Sequence, residues 1–269
     1  MRAGVAEQFL IHLRERDGEL DHQARTLSRR EAELKRRERS GVRSRMRIDA
    51  ELFRSAYGKR RMDPRTDERL AWLMLLAKLE RGEKFVAERR LQAPLGERVE
   101  GYLNVEALYH VRMIGEVLRC FGIEAPIGAP PAFERGMLRL CELLSPGWAE
   151  PILFTHQALT LTVMTLQRKR AHRLFADSPM LIDRLEILLA DLVVDGAAQV
   201  AYRHAQLDRA GLERAQRLLP WMLRGMVFEL PQVGALYGVD KVQARARALD
   251  LRALRQLQPA GFASERSAA

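Results

Sequence analysis

The sequence predicts an all-α protein whose central part, roughly residues 66 to 230, folds as one antiparallel helical bundle. Apolar residues recur at three- and four-residue spacing through every long segment, and no window shows the strict alternation of a half-buried strand. Proline and glycine collect between those segments: Pro94 with Gly96, Gly122 with Pro126 and Pro130-Pro131, Pro146 with Gly147, and Pro179. Long helices joined by short connections are the pattern of a bundle.

From the N-terminus, residues 5 to 39 lack proline, and Leu13, Leu20, Leu27 and Leu34 stand seven apart, like one seam of a coiled coil. The companion seam would hold Leu10, Asp17, Ala24 and Glu31, so a free two-stranded zipper would bury two carboxylates. The stripe is therefore expected to lie on the bundle or on a partner. Gly41 and the basic stretch to Arg47 read as a hinge, and a short helical piece follows from Ala50 to Tyr57. The first bundle helix is expected from Thr66, as its cap, to about Leu91, with Trp72, Leu75, Leu76, Leu79 and Val86 on one buried stripe. The second runs from about Glu97 to Phe121 and stops at Gly122. A short helix over about Ala132 to Leu144 precedes the third long one, from about Trp148 to Phe175.

That third helix contains Pro151 to Gln167, 17 residues without a formal charge, which places it at the centre of the bundle. Ser178 and Pro179 open a fourth helix to about Leu207. A fifth, about Ala210 to Phe228, is expected to bend or break at Pro220 and to end at Pro231, Gly234 and Gly238. A basic amphipathic helix over Lys241 to Leu257 closes the pattern. The expected division is a charged, basic helical arm over 1–61, a bundle over 62–258 and a disordered tail over 259–269.

Composition narrows the function classes. Apolar residues make up 47% of the 269 residues and charged ones 30%, a globular balance. The uncharged run of 17 residues is shorter than a membrane span and carries four Thr, a His and two Gln, so no membrane association is expected. No secretory signal opens the sequence, so a cytoplasmic location with reduced Cys120 and Cys141 is expected. The net charge of +10 is uneven: residues 1–61 carry 17 Lys and Arg against 10 Asp and Glu, which leaves +3 for all the rest. Such a run is ordinarily a solvated helix face, with phosphate binding as the minority reading.

Phosphate loops, GxSxG, HExxH and clustered Cys/His ligands are missing. Three stretches carry a resemblance instead: LAKLERGEKFVAERR, NVEALYHVRMIGEVLRCFGI and LADLVVDGAAQVAYRHAQLDRAGL. Across about residues 66 to 220 the chain resembles the ferritin-like carboxylate-bridged dimetal proteins. These use a Glu from each of two helices and a Glu-x-x-His from each of the other two.

The resemblance implies Glu80 as the first-helix carboxylate and His110 as the second-helix imidazole. It also brings departures. Ala107 stands three residues before His110, with Glu106 four before it. Gly196 and Gln199 occupy the expected Glu and His positions of the fourth helix. His156 is the strong ligand candidate on the third helix, and Asp191 and Asp195 can present two carboxylates inward or turn them to solvent.

The leading expectation is a ferritin-like bundle with a depleted ligand set and an altered, non-catalytic role, binding a small molecule or a partner in the former metal cavity. Iron or manganese, if any, would be bound weakly, at less than one per chain. The alternatives are an iron- or manganese-dependent oxidoreductase with an unusual set, built from Glu80, Glu106, His110, His156 and Asp195, and a nucleic-acid-associated or regulatory protein acting through the basic arm. Self-association or a protein partner would use the leucine stripe.

Overall fold

The computed structural model describes residues 27–44, 48–57, 67–90, 99–123 and 132–249. Among them are ten helices and no strand. In chain order these are α1 (Leu27–Arg39), α2 (Ala50–Tyr57), α3 (Glu68–Arg90), α4 (Val99–Cys120), α5 (Ala132–Leu143), α6 (Pro146–Leu174), α7 (Pro179–Gln206), α8 (Arg209–Glu229), α9 (Pro231–Tyr237) and α10 (Val239–Arg247). The protein is all-α, as the periodicity predicts. No described helix is long and apolar enough to cross a membrane.

Four helices form a ring in the order α3, α4, α7, α6. Side-chain contacts fix their directions. Trp72, near the start of α3, meets Phe175 just past the end of α6 at 5.2 Å, and Phe121 just past α4 meets the same ring at 5.3 Å. Glu116 near the end of α4 pairs with Arg184 near the start of α7, which lies at that same end. At the far end Glu150 of α6 accepts from Arg203 of α7 at 2.8 Å. Each neighbour in the ring is therefore antiparallel, with α3 and α7 running one way and α4 and α6 the other.

It follows that α4 finishes at one end and α6 starts at the other, so the connection over 121–145 travels the length of the bundle. α5 lies on that connection and packs on α6 and α8. Its seat is close: a β-carbon on Gly225 of α8 would collide with the Phe133 ring. Gly225→Ala is expected to destabilise the fold by about 1–3 kcal/mol through this overpacking. A denaturation midpoint equal to the parent's would mean that α5 shifts freely.

Local chemistry explains the boundaries. Asp67 caps α3, its Oδ1 accepting from the Arg69 amide at 2.6 Å, while the expected cap Thr66 lies outside the described residues. α4 stops at Gly122, whose φ of +79° allows the Ile123 amide to reach back to the Leu118 carbonyl at 3.1 Å and its own amide to the Arg119 carbonyl at 3.0 Å. α8 runs through Pro220 without interruption, because the carbonyl that loses its donor belongs to exposed Gln216. Pro231, expected only to end α8, opens the short helix α9 as its first residue. α10 ends at Arg247, and the expected continuation to Leu257 lies outside the described residues beyond 249.

α6 is central. Thr155 and Thr162 face the interior and donate their hydroxyls to the carbonyls four residues back, at 2.7 and 2.8 Å, so neither buries an unpaired group. The described part of the arm lies on the bundle. Leu34 is buried, Arg37 pairs with Glu116 at 3.6 Å, and the amides of Ser44 and Ile48 donate to the carbonyls of Cys120 and Phe121 at 2.7 and 3.3 Å. Phe53 and Tyr57 of α2 belong to the same core as Trp72. Leu13 and Leu20, and the side chain of Leu27, lie outside the described residues.

Candidate metal centre

Glu106 and His110 are four apart on α4, and Asp191 and Asp195 are four apart on α7, so each pair stacks on one face of its helix. Because α4 and α7 are antiparallel neighbours, the two faces meet. One donor atom from each of the four residues lies within 4.8 Å of every other. His110 Nε2 is 3.1 Å from Asp191 Oδ2 and 3.0 Å from Asp195 Oδ2. Relative exposures of 4% for Glu106, 3% for His110, 2% for Asp191 and 4% for Asp195 keep bulk water from sharing this charge.

Burial alone would lower the His110 pKa. The hydrogen bond and charge of Asp191, followed by the charges of Glu83 and Glu106, outweigh it and raise the imidazole above its ordinary value. Even a charged imidazole can offset only one of the three carboxylates around it, an arrangement that favours a cation. The donor set fits one: oxygen and imidazole nitrogen suit iron, manganese or zinc, and donors on opposite sides of one such ion stand about 4 Å apart. Thiols take no part, Cys120 and Cys141 being free and outside the group.

Beside these four residues is a cavity of about 130 Å³, with His110 and Asp195 in its wall. Ala107, Gly196 and Gln199 also line it. Gln199 Oε1 accepts from Gln157 Nε2 of α6 at 2.9 Å. His156 lines the cavity but stands outside the four-residue group, and burial pushes its imidazole down to about 4, so it is neutral.

Glu80 does not join them. It is 2% exposed, with Oε2 3.7 Å from Arg81 Nε. Burial raises its pKa against the pull of Arg81 and Lys84. Its charge is felt at Tyr57, whose hydroxyl is pushed up to about 12 mainly by burial. Glu83, one turn on, is the α3 carboxylate that lines the cavity. Glu134 of α5 lines it too. Sequence reasoning passed over Glu134 because it sits on a short connecting helix, and only the bundle-long connection brings it inside.

No protein-family model, no curated protein and no solved structure matches this chain.

Proposed function

We propose that the protein is a ferritin-like bundle that holds one divalent iron or manganese ion between Glu106, His110, Asp191 and Asp195. The observation that carries this reading is the convergence of three buried carboxylates on one buried imidazole from two antiparallel helices. The single bundle-long connection supports the ferritin-like part, since such folds have one long crossover among their helices. The ligand set is an altered one: two i,i+4 pairs take the place of Glu-x-x-His pairs, and Gly196 and Gln199 supply no ligand.

When bound, the ion would act as a Lewis acid or one-electron centre toward a small molecule. The residues around it set what can approach. Ala107 keeps the wall beside His110 and Asp195 small, Gly196 lets Leu161 of α6 pack close against α7, and neutral His156 with the Gln157–Gln199 pair offers hydrogen bonds without adding charge. The small size of the cavity restricts any ligand to a few non-hydrogen atoms.

Titration of the metal-free protein with Mn(II), followed by elemental analysis after desalting, is expected to give about one ion per chain. His110→Ala, and Asp191→Asn with Asp195→Asn, should each lower affinity at least tenfold, whereas Glu80→Gln should leave it unchanged. Absence of Mn(II) and Fe(II) binding, or equal affinity in the ligand variants, would overturn the reading.

A further inference from the structure

α5 is not a member of the four-helix ring, yet it delivers a carboxyl group into the cavity. Phe133 abuts Gly225, and the Ala132 amide donates to Glu229 Oε2 at 3.3 Å, so the start of α5 is fixed on α8. The next residue, Glu134, then lies over α3 at position 82, which is glycine. A β-carbon there would stand 2.5 Å from Oε2 and 3.1 Å from Oε1 of Glu134, so the carboxyl rests on bare backbone that any side chain would displace. Glu83, also in the cavity wall, is the next residue.

Among the described residues no cation and no hydrogen-bond donor is paired with Glu134. The cations of the wall are engaged elsewhere: Lys78 Nζ donates to the Glu229 carbonyl at 3.0 Å, and Arg203 holds Glu150 at 2.8 Å. The other titratable groups of the wall are Glu83 of α3, His110 of α4, His156 of α6 and Asp195 of α7, while α8 contributes Met226. Among the described residues Glu134 thus has carboxylates for neighbours and no paired cation.

We propose that Glu134 and Glu83 share one proton, and that Glu134 is the proton store of this cavity, neutral in the metal-free protein and releasing its proton when a cation occupies the neighbouring ligand set. Glu83 and Glu134 are both partly buried, and two carboxyl groups in one such cavity resist ionising together. Burial, and then the charge of Glu83, push the Glu134 carboxyl up to about 7. A divalent ion reverses the local sign, so the O–H bond of Glu134 breaks heterolytically: the electron pair stays on the carboxylate, and the proton passes to solvent or to a basic atom of a ligand in the cavity. The release step rests on the metal-site reading; the protonated state without metal does not.

The first test uses the metal-free full chain carrying carbon-13 in its glutamate carboxyls, titrated by nuclear magnetic resonance. One carboxyl titrating near neutrality is expected. That titration should vanish in Glu134→Gln, move toward the ordinary carboxylate range in Glu83→Gln, and do the same in Gly82→Ala, where the carboxyl is pushed from its seat. Stability should follow with a defined sign. A carboxyl raised on folding binds more protons folded than unfolded between about 4.3 and its folded value, so stability falls as pH rises through that window. Glu134→Gln should flatten that slope while keeping the helical circular dichroism. Glutamates that all titrate in the ordinary range, or a near-neutral titration that survives Glu134→Gln, would overturn the proposal.

The second test measures protons released on Mn(II) binding just below neutrality, by calorimetry in buffers of different ionisation enthalpy. The parent should release more than Glu134→Gln; equal release would overturn the release step. Failure of Mn(II) to bind counts against the metal-site reading, and the carboxyl titration still decides the protonated state.

Discussion

Glu116→Ala is expected to destabilise the protein by about 3–5 kcal/mol, because it takes from the buried Arg37 guanidinium and the largely covered Arg184 guanidinium the carboxylate they share. Arg37 of α1 stands 3.6 Å from Glu116, Arg184 of α7 contacts its other oxygen, and Arg37 and Glu116 are 4% and 3% exposed. Arg184 also donates to the Ser40 hydroxyl, so one carboxylate holds the arm, α4 and α7 together. Removing a single partner of such a group costs far more than the assembled group contributes, since the remaining charges stay out of water. Denaturant titration measures the loss, and limited proteolysis should then cut between Gly41 and Arg47 sooner than in the parent. An unchanged midpoint would mean that the two arginines find water or other acceptors.

Trp72→Ala should cost a similar amount, about 3–5 kcal/mol, through lost packing and a cavity at the closed end of the ring. Trp72 is fully buried, its ring stands edge-on to Phe175, and its indole nitrogen donates to the Gln167 carbonyl at 3.1 Å. Gln167 Nε2 returns a bond to the Trp72 carbonyl at 3.3 Å, so α3 and α6 are tied in both directions. Alanine removes the indole and strips the Gln167 carbonyl of that donor. Thermal unfolding followed at a helix-sensitive wavelength should show a lower midpoint with a nearly unchanged starting signal. A midpoint within a degree or two of the parent's would mean that the surrounding side chains close the space. Against a total stability of about 5–15 kcal/mol, either change is a large fraction.

Much of the fold was legible because its signals are local. The uncharged run from Pro151 to Gln167 marked α6 as central, and Gly122 marked the end of α4, where its positive φ is required. The site was harder, since it depends on which helices are neighbours. Glu80 and Glu83 lie three residues apart in one charged stretch, and only the placement of α5 and α6 gives Glu83 the cavity. Asp191 and Asp195 sit among leucines and valines, a context compatible with solvent or interior until α4 is known to run beside α7. Arg37 belongs to a basic run with the look of a solvated face, yet its charge is buried because Glu116 lies under it. At Pro220 chain chemistry alone predicts a bend or a break, yet the helix runs on, because the carbonyl that loses its donor belongs to exposed Gln216.

The connection over 121–145 also sets an order of assembly. Since α4 ends far from where α6 begins, the ring is not a chain of successive hairpins. Two local hairpins, α3 with α4 and α6 with α7, can form early from contacts close in sequence, whereas their union requires a long loop to close and is the slow, high-contact-order event. Glu106 and His110 lie on one hairpin, and Asp191 and Asp195 on the other. Neither half carries all four of these donors, so an ion that needs all four would bind only after the halves have docked and would slow their separation. On the proposed metal-site reading, metal affinity would be coupled to the lifetime of the closed ring, and the kinetics of binding would report when folding is complete.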